Sequence, residues 1–318
     1  MRNYILRRLL LIIPTVIIVT IIVFCAARFI PGSVVELMAS QHGEAQDIEL
    51  TMQMIRHQLG LDVPIYVQYF RWLGAVFRGD LGQSLWTEQS IGEDILQRVP
   101  ISIELGILAI ITALIVALPI GIISAIRQDT FTDHILRGLA ILLISVPAFW
   151  VGTMIIVYPA KYLGWMPTVF YTPFLENPIK NLSQFIIPAV ILGLVMSGTT
   201  MRMTRTMMLE VLRQDYIRTA WAKGLRERVV IFRHALKNAL IPVVTIIGMQ
   251  LPILVGGSVI IETIFGLPGI GRYFILALVQ RDYPIVSAIN LVIAIFVMVC
   301  NLGVDLIYAY LDPRVQYR

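Results

Sequence analysis

The chain has 318 residues, 58% hydrophobic and only 14% charged, with a mean hydropathy of +0.81 and a formal net charge of +5. That composition excludes an ordinary soluble domain and defines an integral membrane protein. No basic patch interleaved with aromatics is present, which argues against nucleic acid as a partner, and Cys25 and Cys300 both lie in apolar runs, where they read as small hydrophobes.

Taken in order, the chain opens with Arg2, Arg7 and Arg8 and then an apolar stretch, Leu9 to Phe29, long enough to cross a bilayer. The stretch is too long for a signal peptide and lacks a small-x-small cleavage site. Phe24 before Cys25 also disfavours lipoprotein processing, so the stretch reads as a retained first span. Residues 30–102 form the longest polar segment. Within it Ile65, Tyr69, Trp72, Leu73 and Val76 recur at helical spacing, which predicts a folded extramembrane piece.

Five further spans are predicted at about Ile103 to Ala125, Ile135 to Tyr158, Phe185 to Thr200, Ala239 to Ile261 and Ile285 to Tyr310. The chain therefore divides into a first span (1–29), an extracytoplasmic loop region (30–102) and a five-span core (103–318). Basic residues fix the orientation. Sixteen of the 25 lie before the first span, at Arg127 and Arg137, between Arg202 and Lys237, or after the last span. By the positive-inside rule both termini and the 202–237 segment face the cytoplasm, and the 30–102 loop faces outward.

The segment Asp215 to Pro242, between the fourth and fifth spans, organises the rest. Asp215 is placed to cap a short helix, Tyr216 to Lys223, which Gly224 ends in a left-handed turn. Tyr216, Ile217, Ala220 and Trp221 share one side of that helix, and Lys223 suits its C-terminal dipole. Leu225, Val229, Phe232 and Leu236 form a second apolar stripe. A lone helix of this length is unstable in water, so its sticky side is expected to lie against another protein. A basic loop resting on anionic headgroups accounts for the charge alone.

Covalent chemistry is not expected. There is no phosphate-cradling G-x-x-x-x-G-K-[ST], and the glycines at 266, 269 and 271 lack the lysine and hydroxyl that would hold a nucleotide and its metal. His42, His57, His134 and His234 are scattered, with no metal-binding spacing and no G-x-S-x-G elbow. Glu104, Asp305 and Arg202 fall near span edges, where orienting roles come before a proton relay. Gln250, Ser258 and Asn290 are the candidates for a polar substrate route, although interhelical hydrogen bonding is the commoner use of such residues. The dense Gly and Pro of spans four to six fit a gated bundle.

The residues Asp215 to Leu225 match D-Y-x-R-T-A-x-A-K-G-L, and Arg233 to Pro242 match R-H-A-L-x-N-A-x-x-P. With Pro31-Gly32, Leu59 to Asp62, Gly79 to Gly82, Pro268 to Arg272, Arg281 to Pro284 and Asp312 to Arg314, the chain resembles binding-protein-dependent ABC import permeases of the dipeptide, oligopeptide, glutathione and nickel group. Trp221 departs from the Arg often found there. The resemblance implies an all-α membrane fold of six spans in a bacterial or archaeal inner membrane. It implies that Asp215, Tyr216, Ile217, Arg218, Thr219, Ala220, Trp221, Lys223, Gly224 and Leu225 couple to an ATPase. It further implies a second homologous permease, two ATPase subunits carrying ATP and Mg, and a solute-binding protein met by Tyr66, Tyr69, Trp72 and Asp80. No cofactor or metal belongs to this chain on that reading, its lipid and protein partners include no nucleic acid, and short peptides head the substrates. An ion-gradient-driven carrier is the rival; it expects inverted repeats, which are not visible.

Overall fold

The protein is described here from a computed structural model, which covers residues 2–29, 62–167 and 170–311 with positions 35, 52–54, 56, 57 and 60; residues 2–9, 11, 27–29, 252–257 and 305–311 are described by backbone alone. Among the described residues the named elements are helical: α1 Arg2–Phe29, α2 Ile65–Phe77, α3 Ile91–Ile126, α4 Phe131–Ser145, α5 Ala148–Leu163, α6 Pro178–Leu212, α7 Asp215–Ala222, a single turn α8 Glu227–Val229, a π-helical turn Val230–Ala235, α9 Leu236–Phe265, α10 Ile270–Gln280 and α11 Tyr283–Leu311. Among the described residues four stretches are long and apolar enough to cross a membrane, Ile91–Ile126, Pro178–Leu212, Glu227–Leu251 and Tyr283–Val304, and the number rises to six if each of two bent pairs counts as one span. Ile12–Ala26 is a further, shorter apolar stretch within α1.

The bent pairs depart from the sequence reading, and local chemistry explains both. The third expected span is two helices, α4 and α5, meeting at 85°. Pro147 disfavours helical geometry in the residue before it, and Val146 duly sits extended at φ −85, ψ 121. The second break, 86° between the end of α9 and α10, falls at Gly266, whose φ of 70 reverses the chain. The polar connection expected between the last two spans thus contains the eleven-residue helix α10.

The contacts divide into two compact units: residues 1–99 with 273–295, and residues 100–272 with 296–318. In the first, α2 lies on α1 through an aromatic cluster. Phe24 meets the Tyr69 ring at 5.4 Å and the Trp72 ring at 5.7 Å, while the Tyr69 hydroxyl and Thr20 Oγ1 are 2.9 Å apart. The loop after α2 turns at Gly79 and Gly82, both with positive φ, and the Asp80 carboxylate accepts from Gly82 N at 2.8 Å. Asp282, fully buried, ties this loop down by accepting from Ser84 Oγ at 2.7 Å and Leu85 N at 3.0 Å, and Trp86 Nε1 donates to Gln280 O at 2.9 Å. Burial pushes the Asp282 carboxyl above its ordinary range, against the pull of these donors.

The second unit has its core where α3, α6 and α9 meet. Ile101, Leu105 and Ala109 recur every four residues on α3 and pack with Phe185, Ala189 and Leu192 of α6 and Ile261 and Phe265 of α9. α6 starts with Pro178 at its first position behind Asn177, whose side chain accepts from Lys180 N at 3.1 Å. Asn181 and Gln184, both buried on the next turns, hold the preceding loop by donating to the carbonyls of Thr172 and Phe170.

Candidate functional site: a short helix seated on its own bundle

At the end of α6 the chain makes a two-residue turn and enters α7. Gln214 is the N-cap residue, at φ −73, ψ 149, and its carbonyl accepts from Ile217 N at 3.0 Å and Arg218 N at 3.2 Å. This corrects the assignment of Asp215 as the cap. Asp215 is the first helical residue, where its charge suits the positive helix end, and its carboxylate pairs with Arg218 at 3.2 Å. The C-terminal stop is as the sequence indicates. Gly224 has φ 72; its N–H donates to Trp221 O at 2.9 Å, and Leu225 N donates to Ala220 O at 3.4 Å. That bond pair is a Schellman stop, which consumes carbonyls that the helix end leaves open.

The sticky side expected to grip another protein is largely taken by the chain itself. Ile217 is fully buried and Ala220 nearly so, packed with Ile122, Ala125, Met208, Val230, Ile231, Ala235 and Ala239. Tyr216 and Trp221 are each 44% exposed. Helical geometry gives the reason: the four residues span an arc of about 140°, with Ala220 and Ile217 in its middle and Tyr216 and Trp221 at its two rims. Thr219, Arg218, Lys223 and Asp215 fill the outward side and are exposed. Tyr216 is steadied at its rim by Asn238, whose Nδ2 donates to the phenolic oxygen at 2.8 Å.

The second expected stripe is shifted. Val230, Ile231 and Ala235 are buried, whereas Phe232 is 55% exposed and Leu225 and Leu236 only flank the cluster. The π turn at Val230–Ala235 is responsible: its wider repeat brings Val230 and Ala235, five apart, to the same inward side. Beside α7 a cleft of about 450 Å³ is lined by Arg205, Thr206, Leu209, Glu210, Arg213 and Gln214.

Ser258 is buried and hydrogen-bonded to Glu262, and Asn290 Nδ2 donates to its own helix at Val286 O. Gln250 is buried with its Oε1 unpartnered. Glu104 meets Asn181 Nδ2 at 3.4 Å, and Arg202 is exposed. Tyr69 and Trp72 are engaged with α1 and Asp80 with its own loop, which leaves Tyr66, 63% exposed, as the outward member of its set. The Asp305 side chain, the Pro31-Gly32 and Asp312-Pro313-Arg314 segments and residues 59 and 61 lie outside the described residues.

Two buried acids escaped the sequence reading. Glu262 on α9 is fully buried and accepts from Ser102 Oγ at 2.7 Å and Arg272 N at 3.1 Å, with Ser258 and the Gly271 backbone adding further bonds. It sits at the N-terminus of α10, where free N–H groups favour an anion. A Cβ at Gly269 would stand 2.5 Å from the Glu262 carboxyl carbon and 2.6 Å from Ser102 Oγ, which explains the glycine spacing that matched no nucleotide cradle. Asp133 on α4 is the other, held by Arg205 of α6. Among the described residues no group of His, Cys, Asp and Glu is placed to hold a metal.

This fold, a helical bundle carrying a small clamped helix between two long ones, is that of a membrane-embedded transporter subunit. The solved structure described as the crystal structure of an amino acid ABC transporter with histidines superposes on it with a TM-score of 0.50, covering 70% of this chain and 94% of the other at 13% identity. The chain belongs to the binding-protein-dependent transport system inner membrane component family, whose model matches residues 117–317 and whose N-terminal companion matches residues 1–106. Curated relatives align over their whole length: a putative peptide transport system permease protein of Brucella abortus (strain 2308), 39% identical over 317 residues, and the dipeptide transport system permease proteins DppB of Alkalihalophilus pseudofirmus and Escherichia coli (strain K12), 40% and 38% identical over 337 and 341 residues. Each alignment takes in 100% of this chain and 100% of the relative. The chain is thus a multi-pass membrane permease component and not an enzyme.

Proposed function

We propose that this permease forms, with a second homologous permease, the path by which short peptides cross an inner membrane, and that α7 is the element through which partner ATPases drive it. The supporting observation is the construction of α7: an eight-residue helix clamped inward by Ile217 and Ala220, closed by Gly224, and left with Tyr216, Arg218, Thr219, Trp221 and Lys223 facing outward. A helix that short holds its shape only because its own bundle supports it. Supported in this way, it acts as a rigid handle and moves α6 and α9 when pushed. Both termini and α7 lie on the cytoplasmic side by the charge distribution, and ATP with Mg binds on the two ATPase subunits.

Peptide as substrate follows the relatives, which are named for peptide and dipeptide transport. Residues 30–102, with Tyr66 exposed on α2, meet the solute-binding protein that delivers it. Gln250 and Ser258, both on α9, line the route, Gln250 offering a free acceptor. The test is uptake of labelled dipeptide into vesicles containing both permeases, the ATPases and the binding protein. Accumulation is expected only with ATP and with all components present. Uptake by this chain alone under an ion gradient, indifferent to ATP, would replace this reading with that of a secondary carrier.

A further inference from the structure

Asp133, in the first turn of α4, is fully buried. Its carboxylate is satisfied by donors from three other places in the same unit. Arg205 of α6 reaches it with two arms, Nε to Oδ1 at 2.8 Å and Nη2 to Oδ2 at 2.7 Å. Ser124 Oγ of α3 donates at 2.5 Å, and Asp129 N of the α3–α4 turn at 3.0 Å. Arg137 lies at 3.7 Å and adds charge rather than a short bond. A two-armed guanidinium–carboxylate pair fixes direction as well as distance, and a buried one tolerates little sliding because any shift strands a charge.

The position of this knot gives it a mechanical meaning. Arg205 stands one turn from Met208, which is fully buried in the cluster that seats Ile217 and Ala220. Along α6 the helices also approach closely at glycines. A Cβ on Gly121 of α3 would fall 2.7 Å from Thr204 Cβ, and one on Gly198 of α6 would fall 2.8 Å from Ala140 O of α4. The end of α6 that carries α7 is therefore pinned to α3 and α4 by close packing and, nearest α7, by one multi-donor carboxylate.

We propose that Asp133 and Arg205 are positioning residues for energy coupling: they lock the α7-bearing end of α6 to α3 and α4, so that a push on α7 displaces three helices together instead of bending α6 alone. The assignment rests on the reading of α7 as the ATPase-docking helix. It extends the moving body beyond α6 and α9 to α3 and α4, which neither their sequence spacing nor their distance from α7 along the chain reveals.

The experiment uses the complete assembly in vesicles, with Asp133→Asn and Arg205→Lys, the latter keeping the charge but losing the fork. Peptide transported per ATP hydrolysed is measured beside the yield of a crosslink from Trp221→Cys to the ATPase, in a background without Cys25 and Cys300. Asp133→Asn is expected to keep the crosslink and ATP hydrolysis while lowering peptide per ATP about five-fold or more, with Arg205→Lys intermediate. An unchanged ratio with the crosslink intact overturns the proposal and leaves the docking reading standing. No crosslink in the parent overturns both. If Asp133→Asn does not accumulate in the membrane, Arg205→Lys decides: a lowered ratio supports the role, and a wild-type ratio refutes it.

Discussion

Replacing Gly224 isolates the stop of α7 from every other feature of the site. A Cβ there would meet nothing within 4 Å, so a substitution adds no clash, and its whole effect is the φ of 72 that an L-residue resists. Forcing alanine into that region costs about 1–2 kcal/mol, a factor of about 5–30 in the population of the closed turn. The bonds at risk are Gly224 N to Trp221 O and Leu225 N to Ala220 O. Hydrogen exchange of a peptide covering 216–226 in the reconstituted protein should therefore quicken by about 5–30-fold in Gly224→Ala. Gly224→Asn should quicken it less, since asparagine tolerates the left-handed region better. Uptake per ATP should fall in the same order. Wild-type exchange in Gly224→Ala, or an asparagine variant as impaired as the alanine one, would refute the conformational argument.

Ile217→Ala removes a fully buried side chain and should weaken the seat of α7 by about 2–5 kcal/mol, read as faster exchange across 215–223; Trp221→Ala, at an exposed rim, should leave that exchange unchanged. Gly269→Ala drives a methyl into the Glu262 and Ser102 pair and should destabilise the protein by about 1–3 kcal/mol, seen as a lower thermal midpoint in detergent. A midpoint equal to wild type would remove the close-approach explanation for that glycine. Because burial raises the Asp282 carboxyl above 3.8, its contribution to stability is complete below that pH and is lost as pH climbs through the raised value. The stability of wild type relative to Asp282→Asn should therefore decline over that window, and a difference that is flat with pH would count against the assignment.

Most of the bundle could be read from composition because a bilayer admits few solutions: long apolar runs must be helices, and their charged flanks orient them. The α7 stop was legible for the same reason, since Gly224 after eight helical residues has one ordinary use. Which side of α7 its own chain covers was not. The 216, 217, 220 and 221 arc is uniformly apolar, and only the bundle shows that its centre is filled and its rims are free. The π turn likewise left no mark in hydrophobic spacing. Each buried acid has one key partner far along the chain: Arg205 is 72 residues from Asp133, and Ser102 is 160 from Glu262. The P-G-x-G-R run was the sequence signal for Glu262, once its glycines are understood as room for a carboxylate and not as a phosphate site.

The claim that carries the account is that the exposed rim of α7 is where an ATPase takes hold. A cysteine at Trp221, in a protein otherwise free of Cys25 and Cys300, would be crosslinked in the complete assembly with and without nucleotide. The account expects an adduct with the ATPase subunit whose yield changes with ATP. Adducts with lipid or with the second permease alone, at any nucleotide state, would contradict it.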